Sequence, residues 1–185
     1  MIKKVLEDAK VQMRDAETAM TREFAKVRTG KATASLLDNI KVDYYGSMVP
    51  ISQAANIGVP EPRMLTIQPW DKNMMSAIER AILQSDLGIT PSNDGNFIRL
   101  PIPALTEERR RNLVKIVHKS AEEGRVSVRG ARRDAIQKLK AAKKKSDITE
   151  DDLHRGQDDV QELTDASTKN IDKLMKQKEK EIMEV

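Results

Sequence analysis

The sequence predicts an α+β protein in which a long three-helix bundle is interrupted by a small β/α/β insert. Three observations carry this prediction. All seven prolines fall between Pro50 and Pro103. Proline is excluded from helix interiors, so the flanking segments can be long helices and the middle cannot. Next, 34% of the chain is charged and only 3% is aromatic, with four of the five aromatic residues (Tyr44, Tyr45, Trp70, Phe97) in that same middle. Such a composition suits helices that share a narrow apolar seam rather than a thick core. Finally, the proline-free segments repeat apolar residues three and four positions apart, the period of an amphipathic helix.

The first helix is expected from residue 2 to about residue 29, on the stripe Val5, Leu6, Ala9, Met13, Ala16, Met20, Phe24 and Val27. The second starts at Thr106, an N-cap residue type, with Glu107 and Glu108 at the favourable end of the dipole. Nothing stops it before Lys143-Lys144-Lys145, a basic run suited to a helix C-terminus. About 38 residues at 1.5 Å each make a rod of roughly 57 Å. Its stripe is Leu113, Val117, Ala121, Val128, Ala131, Ala135 and Leu139. A third helix begins at Thr149, with Glu150, Asp151 and Asp152 in its first turn and the stripe Leu153, Val160, Leu163, Ile171, Leu174 and Ile182. The link Ser146-Asp147-Ile148 is short, which makes the last two helices antiparallel neighbours. Each helix offers one stripe, so three must pack together to bury them. The bundle is therefore discontinuous, residues 1–30 and 105–185, around an insert of residues 31–104.

Within the insert, Lys41-Val42-Asp43-Tyr44-Tyr45 alternates as a strand, Gly46-Ser47 is a turn, and a weaker strand follows from Ile51. Asn56-Ile57-Gly58-Val59 and Met64-Leu65-Thr66-Ile67-Gln68 are two further strands, separated by Pro60-Glu61-Pro62. Residues 74–87 form a short amphipathic helix with Gly88 at its C′ position. Asn93-Asp94-Gly95-Asn96 is a turn, and Phe97-Ile98-Arg99-Leu100 the last strand. Trp70 and the Tyr44-Tyr45 pair are expected to be half-buried on the sheet. The chain enters the insert at Gly30-Lys31 and leaves it at Pro103-Ala104-Leu105, two connections that make a hinge there plausible.

Net charge is only +4, and it is unevenly placed. Residues 31–104 hold 6 basic against 7 acidic residues, which leaves 27 against 22 for the helices. The sharpest concentration is Arg125, Arg129, Arg132 and Arg133. On a helix of 3.6 residues per turn these four span an arc of about 100°, beside the apolar stripe rather than opposite it. One face packs while its flank offers planar, permanently charged forks that suit phosphate oxygens and stack on bases. Arg132, flanking the stripe, is the one expected to be held best. The plainer reading is a solvated face paired to Glu122, Glu123 or Asp134, and spacing alone weighs the two about equally.

Other chemistries lack a constellation. There is no cysteine, hence no disulfide or thiolate metal site. His118 and His154 are the only histidines and have no metal-ligand spacing, so both are expected at the surface. No phosphate-cradling glycine loop is present. No run approaches the ~18 apolar residues of a membrane span, and the amphipathic opening residues are no secretory leader, so a soluble cytoplasmic protein is expected. Gly130 and Gly156 stand inside helices where other residues would be better helix formers.

Seven segments together resemble ribosome recycling factors. They are Lys26-Val27-Arg28-Thr29-Gly30-Lys31-Ala32, Ser85-Asp86-Leu87-Gly88, Ile98-Arg99-Leu100-Pro101-Ile102-Pro103, Leu105-Thr106-Glu107-Glu108-Arg109-Arg110, Arg125-Val126-Ser127-Val128-Arg129, Arg132-Arg133-Asp134-Ala135 and Gln157-Asp158-Asp159-Val160-Gln161. The resemblance runs along nearly the whole chain in order. It implies a three-helix bundle with an inserted β/α/β domain on a flexible hinge at Gly30, Lys31, Pro103, Ala104 and Leu105, with an L-shaped outline like that of transfer RNA. It implies a monomer that binds the large ribosomal subunit after termination through its 23S ribosomal RNA. With elongation factor G and GTP it would split the post-termination ribosome and free messenger and transfer RNA. The chain itself would be no enzyme and carry no cofactor or metal, GTP being used by the partner. RNA contact falls on Arg132, Arg129, Arg133 and Arg125, with Arg110, Arg28 and Lys31 nearby. Composition and periodicity alone also fit a coiled-coil RNA-binding or chaperone-like module with no GTPase partner; only partner-dependent activity separates the two.

Overall fold

Helix α1 spans Ile2–Lys26 in the computed structural model, which describes residues 1–184; residue 185, assigned above to the bundle, lies outside the described residues. The helix stops short of the expected end near residue 29. Val27 is already extended (φ −79°, ψ 112°), buries its side chain from that backbone, and donates its N–H to the Phe24 carbonyl at 3.1 Å. Helix α2 (Met75–Leu83) belongs to the insert, and α3 (Glu107–Lys144) and α4 (Glu150–Met183) complete the bundle. The chain divides into two compact units, one of residues 1–29 with the chain from Thr106 onward, the other Gly30–Leu105.

In the helical unit, caps fix where the two long helices begin. The Thr106 hydroxyl accepts the Arg109 N–H at 3.1 Å. Thr149 and Asp152 form a reciprocal capping box, each side chain accepting the other's backbone N–H at 3.1 Å. The Thr149 hydroxyl and N–H hold the Asp152 carboxyl below its usual range, so the stabilisation from the carboxylate half of the box is full above the ordinary carboxylate range and is lost as pH falls through the depressed value, while the Thr149 hydroxyl keeps the Asp152 N–H. Later α3 residues meet earlier α4 residues, Arg125 with Asp172, Arg132 with Gln161 and Lys143 with Glu150, so the pair is antiparallel.

All seven residues of the α3 stripe are buried, and Gly124 and Ala142 join them. On α4 the seam departs from the expected one. Leu163 and Leu174 are only partly buried, while Thr164, Ser167 and Met175 are buried in their place. The three- and four-residue steps from Val160 lead to Thr164, Ser167, Ile171 and Met175, which puts both leucines one position off the seam. The buried hydroxyls are satisfied. Thr164 donates to the Val160 carbonyl at 2.8 Å, and Ser167 donates to Glu17 of α1 at 2.5 Å, a carboxylate that also accepts from Asn170 at 2.5 Å.

The two helical glycines differ in kind. A Cβ on Gly156 would lie 3.0 and 3.2 Å from the Leu139 methyls, so the absence of a side chain lets α3 and α4 approach closely. A Cβ on Gly130 would meet nothing within 4 Å. Gly130→Ala is therefore expected to raise stability by about 0.5–1 kcal/mol, whereas Gly156→Val is expected to lower it by roughly 1–3 kcal/mol through overpacking. Thermal melts of the two variants check this; a destabilised Gly130→Ala protein would overturn the first half.

The other unit holds two sheets. Strands β1 (Lys41–Tyr44) and β2 (Ser47–Pro50) form an antiparallel hairpin. Its turn is Tyr45-Gly46, both at positive φ (51° and 89°), the two-residue geometry that matches strand twist. The second strand thus precedes Ile51, which instead opens a 3-10 turn, Ile51–Gln53. Strands β3 (Ala55–Glu61), β4 (Met64–Pro69), β5 (Ser92–Asn93) and β6 (Ile98–Pro101) form a four-stranded antiparallel sheet in the order β3-β4-β6-β5. Pro60 and Glu61, expected in the separating turn, lie inside β3. Its edge position tolerates the missing N–H, and the register shifts between Gly58 and Glu61. Helix α2 ends at Leu83, short of residue 87. The Ser85 N–H and hydroxyl both donate to the Ile82 carbonyl and close the last turn, so Gly88, though at φ 65°, ends no helix.

Leu65, Ile67, Ile98 and Leu100 of the sheet pack with Ile78 and Ile82 of α2, all at or near zero exposure. Trp70 and Tyr45 are outside that core, 58% and 74% exposed rather than half-buried. Their polar ends explain it: the Trp70 indole N–H donates to Asn56 at 3.0 Å, and the Tyr45 hydroxyl donates to the Asp71 carboxylate.

Candidate nucleic-acid interface

The arginine tract lies on unbroken helix. Val128, Ala131 and Ala135 point into the bundle, and Arg129, Arg132 and Arg133 follow on the flank beside them. Three of the four arginines are tethered, Arg125 and Arg129 through Glu122 and Arg132 separately. The Arg125 side chain is only 21% exposed and lies against α4. Its Nε and Nη2 both donate to one Asp172 oxygen, at 3.0 and 2.6 Å, and its Nη1 donates to Glu122 at 3.1 Å. The Asp172 hydrogen bonds raise its already high proton affinity, against the opposite pull of burial. Arg129 donates Nη2 to the other Glu122 oxygen at 2.8 Å. Bonding to Arg129 first, then Arg125, holds the Glu122 carboxyl below its usual range, so it stays ionised throughout neutral and mildly acidic pH. Arg132 Nε donates to the Gln161 amide oxygen at 2.8 Å, and Gln161 in turn donates to Asp165 at 2.8 Å. Arg133 is exposed and has no side-chain partner among the described residues.

The remaining candidates are scattered. Arg110, near the start of α3, donates Nη1 to the Met183 carbonyl at 3.2 Å in the last turn of α4, and its Nε is buried without a partner. Arg28 is exposed beyond the end of α1 in the helical unit, and Lys31 is exposed in the other. Gly30 has φ 78°, and a Cβ there would lie 3.2 Å from the Leu105 side chain. The two connecting segments are pinned to the β3–β4 turn, the Ala32 N–H donating to the Pro62 carbonyl at 2.7 Å and the Ile102 N–H to the Arg63 carbonyl at 2.8 Å. Pro103 and Ala104 are exposed, in irregular backbone.

Sequence reasoning missed Asp172 and Gln161. Glu122 was legible as an i, i+3 partner of Arg125, but nothing in the spacing shows which α4 residue lies across the seam. His118 and His154 are exposed and paired with Glu179 and Glu150, at 3.0 and 3.5 Å. No helix among the described residues is long and apolar enough to cross a membrane.

Fold and flank define a class, a helical scaffold with a row of guanidiniums along one flank of its longest helix and, in sequence between its first two long helices, a separate sheet unit. Known proteins align with this chain along its whole length. The family model described as ribosome recycling factor matches residues 20–183. The chain belongs to the ribosome recycling factor family. It is 56% identical over 185 residues to the ribosome-recycling factor of Listeria monocytogenes serotype 4a, with both chains covered completely. It is likewise 56% identical over 185 residues to that of Geobacillus thermodenitrificans, with full coverage of both. A solution structure of the ribosome recycling factor superposes with a TM-score of 0.74 at 43% identity, covering 100% of this chain and 98% of that one. The Thermus thermophilus factor, in models with Escherichia coli elongation factor G bound to the Escherichia coli post-termination complex, gives 0.64 at 41% identity with both chains fully covered.

Proposed function

We propose that this chain binds the large ribosomal subunit after termination through the α3 flank and, with elongation factor G and GTP, splits the post-termination complex into subunits, releasing messenger and transfer RNA. The observation that carries this reading is Arg129, Arg132 and Arg133 turned outward from one uninterrupted 38-residue helix. A solved relative at 41% identity is described with elongation factor G on a post-termination complex, which supports the same partners here. The chain acts as a lever and not as an enzyme. It needs no cofactor of its own, GTP being consumed by the partner, and works as a cytoplasmic monomer away from membranes. Attachment rests on phosphate contacts and weakens with salt as counterions are released. The inserted unit swings at Gly30, Lys31, Pro103, Ala104 and Leu105, and the stiff bundle carries the displacement to the bridges between subunits.

Light scattering of post-termination ribosomes is the test. The expected result is a fall in scattering that requires this protein, elongation factor G and GTP together. No fall, with the protein still pelleting with large subunits, would reduce the reading to RNA binding alone.

A further inference from the structure

An acid stands at the N-terminal end of the basic flank. Glu122 is exposed, sits beside Arg129, and by charge alone would repel a phosphate that approaches it. Its geometry gives it another part. One carboxylate oxygen takes Arg129 at 2.8 Å and the other takes Arg125 at 3.1 Å. Arg125 is in turn fixed from α4, with two donors on one Asp172 oxygen. Asp172, Arg125, Glu122 and Arg129 thus form a continuous chain of hydrogen bonds from α4 to the flank of α3. All three Arg125 nitrogens are engaged, Nε and Nη2 with Asp172 and Nη1 with Glu122, and the side chain lies against α4 at 21% exposure. Arg129 spends only Nη2, and its Nε and Nη1 make no bond to described residues. Arg132 has a separate brace of similar build, through Gln161 to Asp165, and Arg133 has none.

We propose that Glu122 and Asp172 are positioning residues for RNA binding, holding the Arg129 guanidinium at a fixed point with its free edge outward, Arg125 being the link between them and not itself an RNA contact. A long side chain immobilised before binding loses less freedom when a phosphate arrives, and a fork held at one edge presents the other in register. The inference rests on the reading of the α3 flank as the ribosomal RNA face.

The two ideas predict opposite signs. If Glu122 acted only as a negative charge, its removal would tighten binding. As a brace, its removal weakens binding although net positive charge rises. The experiment measures affinity of the full chain for purified large ribosomal subunits over a range of salt, for Glu122→Ala, Glu122→Gln, Arg129→Ala and the Glu122→Ala/Arg129→Ala pair. Glu122→Ala is expected to weaken binding roughly two- to tenfold, the cost of ordering one long side chain on association. Glu122→Gln, which keeps an oxygen for Arg129, should recover part of the loss. The double variant should bind no worse than Arg129→Ala alone, a non-additivity that general destabilisation does not produce. Unchanged or tighter binding by Glu122→Ala, with Arg129→Ala weakened, overturns the brace and leaves the RNA face standing. Unchanged binding by Arg129→Ala overturns Arg129 as an RNA contact and the brace with it.

Discussion

Lys119→Pro is expected to abolish subunit splitting while leaving much of the attachment to the large subunit in place. Lys119 is exposed on α3, between the buried Val117 and Ala121, so the change removes no core side chain. What it removes is the bond from the residue 119 N–H to the residue 115 carbonyl, and the proline ring clashes with that carbonyl; the cost is ~3 kcal/mol or more, with a kink. The arginines from Arg125 to Arg133 lie beyond the break, and their α4 partners Asp172 and Gln161 are separate from it. A rod bent at that point yields under load and transmits little displacement. The measurements are light scattering for splitting, co-sedimentation for attachment, and circular dichroism for helix content. Splitting at the normal rate by a protein with a demonstrated break in α3 would end the lever reading. Lys119→Gly, at a cost of roughly 1 kcal/mol, supplies a folded intermediate and should split at a reduced rate.

The rod was legible in the sequence because its determinants are local. Thr106, Thr149 and their acidic first turns mark helix starts, and a seven-residue apolar stripe without proline admits no other element. Where the expectation failed, a tertiary contact outweighed local pattern. Leu163 and Leu174 are the more apolar choices on α4, yet Thr164 and Ser167 hold the seam, because the register set by Val160, Ile171 and Ile182 leaves the leucines off it and Glu17 of α1 supplies the hydrogen bond that Ser167 needs. Trp70 and Tyr45 were expected against the sheet from their size, and they lie outside it because Asn56 and Asp71 hold their polar ends at the surface. The candidate site divides along the same line. The flank of arginines follows from spacing on one helix, and the Glu122 tie from sequence proximity. Asp172 and Gln161 lie 47 and 29 residues away from their partners, and only the packed antiparallel pair brings them there.

Replacing Arg129, Arg132 and Arg133 together by alanine should produce the complementary defect. A charge-assisted hydrogen bond to phosphate contributes about 1.5–3 kcal/mol, so loss of three, even with partial compensation, should weaken attachment at least about a hundredfold. The slope of log affinity against log salt should fall by roughly 0.9 for each phosphate contact removed. Helix content should not change, since all three side chains leave the α3 stripe intact and their tethers to Glu122 and Gln161 are at the surface. Because the defect is in occupancy, raising the protein concentration should restore splitting. The same excess should do nothing for Lys119→Pro, whose defect comes after binding. Rescue of both variants by excess protein would mean that α3 serves only to attach, and rescue of neither would mean that the flank takes part in the splitting step itself. Rescue of the arginine variant alone is the pattern that assigns attachment to the flank and force transmission to the unbroken helix that carries it.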